Sequence, residues 1–182
     1  MAGQHLYNTW SPTYKGTLIT LSNGDLTAAS TGEGTVIAVY GKSSGEWQVE
    51  HTIDAIGSGL SFGVAYQAVE LNHETLFVQN IWTLGYNSLR SNNATSTSFG
   101  TAPANDFTTG DVVGVVCTPT GRLEFYRNGT LLTGNAEPGE EGNIMYPSYG
   151  PMVGTVYPAF RAYTGGGQQI TTDFSGMPGP TT

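Results

Sequence analysis

Three carboxylates, Glu46, Glu50 and Asp54, stand four residues apart in one alternating stretch, Gly45-Glu-Trp-Gln-Val-Glu-His-Thr-Ile-Asp54. On a β-strand, residues of equal parity share a face, so the three side chains point the same way. Paired carboxylates are the machinery of glycoside hydrolysis, which makes their separation decisive. Neighbours four positions apart on a strand are about 13 Å apart. Retaining glycosidases need about 5–5.5 Å and inverting ones about 6.5–9.5 Å. A two-residue spacing would fit, but Gln48 and Thr52 hold those positions. Only a carboxylate from another strand could complete a pair, and a solvated strand face is the preferred reading.

The remaining reactive residue types are scattered. His5, His51 and His73 show no spacing that suits a metal. His51 alternates in phase with Trp47, Val49 and Ile53, which marks it as a satisfied, partly buried histidine. Cys117, the single cysteine, sits in a valine-rich run and reads as a small buried hydrophobe. No Gly-x-Ser-x-Gly elbow occurs. Gly165-Gly166-Gly167 lacks the Lys-Ser or helix of a phosphate cradle and reads as a hairpin turn. Carboxylates and asparagines are plentiful, but no EF-type calcium spacing exists. The expectation is a non-enzyme with no metal and no cofactor.

Recognition residues are easier to nominate. Residues 133–155 make a longer connection than ordinary loops, and such loops are usually functional or disordered. They carry Met145-Tyr146-Pro-Ser-Tyr149-Gly-Pro-Met152. Aromatic residues at a loop tip give contact area at low entropy cost; the competing reading folds them back as a lid over a sheet. Tyr7 and Trp10 make the N-terminus too aromatic for a solvated tail. The candidate partner-binding set is therefore Met145, Tyr146, Tyr149, Met152, Trp82, Tyr86, Tyr7 and Trp10.

Composition narrows the partner. Charged residues are 11 % of the chain, against about a quarter in ordinary globular proteins. The net charge of -8 reflects six bases, Lys15, Lys42, Arg90, Arg122, Arg127 and Arg161, spread without a basic patch. Nucleic-acid binding is therefore not expected. No apolar run approaches the ~20 residues that span a bilayer. The start, Met-Ala-Gly-Gln-His-Leu-Tyr, lacks the basic and apolar segments of a secretion signal, so a protein made in a cytoplasm and soluble there is the expectation.

The elements that must position these residues are strands. Gly (26) and Pro (9) are spread between short apolar runs, as in an all-β fold with many tight turns. Strand-like runs occupy residues 18–21, 26–29, 35–40, 46–53, 60–66, 75–82, 112–118, 123–127, 156–163 and 170–174. Residues 68–76 have a weak claim to helix, and 91–109 read as a surface loop. The clearest segment is a double hairpin. Val112 to Thr118 is almost continuously apolar and reads as a strand buried on both faces. Pro119-Thr120-Gly121 supplies a turn, and Leu123 to Arg127 alternates as a half-buried strand. Asn128-Gly129 then provides a type I′ turn. The fold class is all-β, an antiparallel two-sheet β-sandwich.

The order of motifs carries a resemblance. Gly45-Glu-Trp-Gln-Val-Glu50 precedes Phe62-Gly-Val-Ala-Tyr66 and Gly110-Asp-Val-Val-Gly-Val-Val116; Leu123-Glu-Phe-Tyr-Arg-Asn-Gly-Thr-Leu-Leu132 and Tyr157-Pro-Ala-Phe160 follow. This succession resembles the SPRY domain, a concanavalin-like jelly-roll sandwich that serves as a protein-binding module. The likeness covers residues 18–174, leaving 1–17 as an N-terminal arm and 175–182 as a tail. The opening Trp10-Ser-Pro to Leu26 is similar to the start of SPRY-type proteins of bacteriophages. The resemblance implies a non-catalytic module of a virion, as an exterior capsid decoration or a tail- or fibre-associated protein. Its partners would be other virion proteins or a host surface, and it would be a homo-oligomer. The alternative is a carbohydrate-binding, lectin-like module stacking Trp82, Tyr86, Tyr146 or Tyr149 on sugar faces.

Overall fold

The computed structural model describes residues 8–72, 80–85, 107–118, 123–132, 154–163 and 165–177, with the backbone of 88–91 and 97–98. The described strands are β1 Trp10–Lys15, β2 Ile19–Ser22, β3 Thr27–Ser30, β4 Gly34–Ala38, β5 Trp47–Ala55, β6 Leu60–Ala65 and β7 Ile81–Gly85. They continue as β8 Ser88–Ser91, β9 Thr97–Ser98, β10 Val112–Cys117, β11 Leu123–Arg127, β12 Thr130–Leu131, β13 Tyr157–Ala162 and β14 Gln169–Asp173. Two seven-stranded sheets result, ordered β1-β4-β13-β6-β7-β8-β9 and β12-β11-β10-β5-β14-β3-β2. Every strand pairing described is antiparallel, so the expected two-sheet β-sandwich is what the chain forms.

The main core lies between the sheets. Alternation on β5 sends Trp47, Val49, His51 and Ile53 inward, and β10 and β11 add Val113, Val115, Leu123 and Phe125. The first sheet answers with Trp10, Val36, Phe62, Val64, Leu84 and Phe160. A smaller cluster joins Ile37, Ala65, Ile81 and Ala159, on the opposite parity of the first sheet's strands, to Val69, with Leu71 and Tyr157 against it. Residues 66–72 are the cover: Leu71 accepts a hydrogen bond from the Thr35 amide (3.0 Å), and Val69 is buried. They form no helix. The central strands of the first sheet are thus buried on both faces, which is why β4, β6 and β7 are fully buried.

Several expectations move. Residues 10–15 are not an arm; they form β1, paired to β4 through a bulge, and Asn8 clamps the Tyr40 backbone in both directions at 3.0 Å. Pro12 is tolerated there because β1 is an edge strand. The tail begins later than residue 175, since Met177 is fully buried in the core. The described seventh strand is Ile81–Gly85; residues 75–79 of the expected 75–82 run lie outside the described residues. Residues 91–109 are not all loop, because β9 pairs with β8 and Phe107 enters the core. Gly165-Gly166-Gly167 joins β13 to β14, which lie in different sheets, so it is a crossover and not a hairpin. All three glycines have positive φ, and a Cβ on Gly166 would meet the Thr31 carbonyl at 2.5 Å. The adjacent Gln168 is buried, its amide donating to Gly59 O (2.7 Å) and accepting from the Ser30 hydroxyl (2.8 Å).

Candidate functional site

With the outer face of β4, β6 and β7 covered, the outer face of β5, β10 and β11 is where side chains alternate into solvent. The double hairpin supplies it. Asn128 (φ 50) and Gly129 (φ 76) form the expected two-residue turn, with Arg127 opposite Thr130. The β10 strand is not buried on both faces: Val113, Val115 and Cys117 are buried, while Val112, Gly114 and Val116 are partly exposed on the outer face. In register, Gly114 lies between Glu50 and Tyr126, Val116 between Gln48 and Glu124, and Val112 beside Thr52.

These columns line a groove of about 360 Å³. Its floor is Val112, Gly114 and Val116; Gln48, Glu46, Glu50, Glu124, Tyr126 and Gly129 form its walls. Gly114 makes a notch in the floor. A Cβ there would come within 3.3 Å of the Tyr126 Cβ, tighter than an ordinary contact. Among the described lining residues three are carboxylates and none is a base. The Tyr126 hydroxyl donates to Glu124 Oε2 at 2.9 Å. That bond, burial and the fields of Glu124 and Glu46 together push the phenol's pKa up.

One end of the groove is pinned by a polar knot. Asp111 pairs with Arg127 (2.7 Å) and accepts from the Asn128 amide (2.8 Å) and the Thr108 backbone (2.7 Å). Asn128 in turn accepts from the Val112 amide at 2.9 Å. Burial alone would raise the Asp111 pKa. Thr108, Arg127 and Asn128 outweigh it and hold the carboxyl down at about 2. Arg127 is committed to this knot, and among the described residues no ion pair engages Glu46, Glu50 or Glu124.

The nominated recognition residues fare differently. Trp10 and Trp82 are interior, 0 % and 3 % exposed, so neither displays a ring to a partner. Trp10 stacks on His51 (5.8 Å) and meets Phe174 edge-on; Trp82 meets Tyr66 edge-on (5.0 Å). Tyr7, Tyr86, Met145, Tyr146, Tyr149 and Met152 lie outside the described residues. His51 is fully buried, not partly, and only half satisfied. Its Nδ1 meets the Thr172 hydroxyl at 2.9 Å, its ring also stacks on Phe62 (5.0 Å), and Nε2 has no partner among the described residues. Burial lowers its pKa to about 3. Among the described residues no three His, Cys, Asp or Glu side chains are placed to hold a metal ion. The groove itself was not nominated from sequence; its available signal was the apolar Val112 and Val116 at outward parity, with Gly114 between them and Glu50 and Glu124 on the neighbouring strands.

No protein-family model and no curated protein sequence matches the chain. Solved structures do. The SPRY domain of human HERC1 superposes with a TM-score of 0.67 at 20 % identity, covering 92 % of this chain and 99 % of that one. The TRIM65 PSpry domain gives 0.58 at 17 %, with 92 % and 90 % covered. The stonustoxin structure gives 0.60 at 21 % over 92 % of this chain, which spans 27 % of the toxin chain. Two antiparallel sheets in this arrangement give the chain the β-sandwich fold of SPRY domains.

Proposed function

We propose that the protein is a non-catalytic binding module whose open sheet face receives a protein partner. The observation that carries this reading is the groove over β5, β10 and β11, where valines stay partly exposed on a folded sheet. SPRY domains generally serve as protein-binding modules, and two of the similar structures are such domains. An apolar floor inside a polar rim is the composition of a recognition surface. A glycan partner is the weaker reading. Sugar recognition uses exposed aromatic platforms, Trp82 is interior, and Tyr126 is the one aromatic side chain among the described residues that line the groove.

The setting we propose is the exterior of a virion, as a capsid decoration or a tail- or fibre-associated protein. Supporting it are the similarity of the Trp10 to Leu26 opening to phage SPRY-type proteins and a surface polar through Ser, Thr and Asn, with 11 % charged residues. Copies arrayed on a symmetric particle would gain avidity without stronger individual contacts. Mass spectrometry of purified particles tests this. A copy number on the order of hundreds would support decoration of the capsid lattice, and a small multiple of three or six a tail position. Absence from particles, with no co-sedimentation of added protein, would overturn the virion setting.

A further inference from the structure

We infer that the groove over β5, β10 and β11 receives an extended protein segment through an arginine or lysine side chain; this rests on the binding-module reading above. Val112, Gly114 and Val116 recur every second residue, so the floor runs about 13 Å along β10, the length of a short extended segment. A cation on an aliphatic stem fits both parts of the site. The methylenes lie on valine while the head reaches the carboxylates. Glu46, Glu50 and Glu124 stand on the walls, with no base among the described lining residues. A neutral or acidic segment would leave these charges uncompensated.

A second observation points the same way. Glu50 and Asp173 are direct register partners on β5 and β14, and both are exposed. Like charges placed directly opposite on neighbouring strands destabilise a sheet. Asp54, further along β5, is already engaged by the Thr171 hydroxyl at 2.7 Å. Glu50 has no such partner among the described residues. An unfavourable charge pair kept beside an apolar notch is what a site for a cationic partner requires.

The test is an NMR titration of the ¹⁵N-labelled chain with a synthetic peptide alternating arginine and alanine, and with its glutamate counterpart. Saturable shifts at the amides of Val112, Gly114, Val116 and Tyr126 are expected with the arginine peptide alone. Glu50→Gln or Glu124→Gln should each weaken binding about fivefold, and the double variant about 25-fold. Glu50 is exposed and faces Asp173, so its neutralisation does not threaten folding. Shifts scattered over the whole surface, or a double variant that binds undiminished, would overturn the inference and leave the binding-module reading standing. Absence of the protein from particles, with the titration as expected, would do the reverse for the virion setting.

Discussion

Acidifying the solution from pH 7 to pH 5 should cost this fold about 2 kcal/mol through His51 alone. The ring is fully buried between Trp10 and Phe62, and burial lowers its pKa to about 3. In the unfolded chain the same group takes up a proton near its ordinary value of 6.5. Between those values the unfolded state binds the extra proton and the folded state excludes it, so stability falls as pH drops. The slope approaches about 1.4 kcal/mol per pH unit, and the integrated loss by pH 3 reaches about 4 kcal/mol. That approaches the whole stability of a marginal domain, where domains span about 5–15 kcal/mol. Asp111 acts in the same direction but lower. Its carboxyl sits at about 2 against an ordinary 3.8, so its contribution is complete above the ordinary value and is lost only as pH falls toward 2. The window from pH 6.5 to 5 therefore isolates histidine. Urea unfolding followed by tryptophan fluorescence, with Trp10, Trp47 and Trp82 all buried, measures the effect. His51→Phe keeps a flat ring in the stack and removes the titration, giving up the Thr172 hydrogen bond for about 1 kcal/mol. Wild type should lose about 2 kcal/mol more than the variant across the window. A difference that stays constant from pH 7 to 5, or a His51 ring titrating near its ordinary pKa by NMR, refutes the reasoning.

Three further outcomes follow from the packing. Gly63→Ala should prevent folding or cost at least about 3 kcal/mol, because its Cβ would lie 1.9 Å from the Trp82 carbonyl oxygen. By contrast, Gly129→Ala meets nothing within 4 Å and suffers only its φ of 76°, for about 1 kcal/mol; equal losses in thermal melts would contradict this. Asp111→Asn should lose about 2–3 kcal/mol at neutral pH by leaving Arg127 without its anion, with the deficit shrinking as acid protonates the wild-type carboxyl. The Cys117 thiol, pushed up to about 11 by burial, should resist a thiol reagent at pH 8 until the chain unfolds; prompt reaction of the native protein would place it at the surface.

Local chemistry was legible in the sequence and spatial coverage was not. The Asn128-Gly129 turn and the alternation of β11 are set by residues in contact along the chain, and both stand where the pattern puts them. The apolar runs of β4 and β10 look alike on paper, yet one is covered on both sides and the other is open. What separates them is residues 66–72, which lie over the first sheet and carry no sequence mark of doing so. Likewise, Trp10 and Trp82 have the residue type of an interface and the position of a core. A large aromatic side chain satisfies either demand. Gly165-Gly166-Gly167 announced a tight turn, but not that its two strands belong to different sheets.

The outward valines of β10 admit a simpler account, that β-branched residues favour strands wherever they sit. The glycine between them argues against it. A sequence selected for strand propensity would not put Gly114 in the middle of a six-residue central strand, where glycine costs roughly 0.5–1 kcal/mol. Its absent side chain has two consequences at once: it leaves room for Tyr126 across the ladder, and it opens the notch beside Glu50. The same few residues hold Glu50 against Asp173. Each choice weakens the sheet locally, and all of them fall on the one face that residues 66–72 do not cover. Seating Tyr126 accounts structurally for Gly114; the opposition of Glu50 and Asp173 has no such return among the described residues, and it is this pair that the proposed cationic partner would relieve.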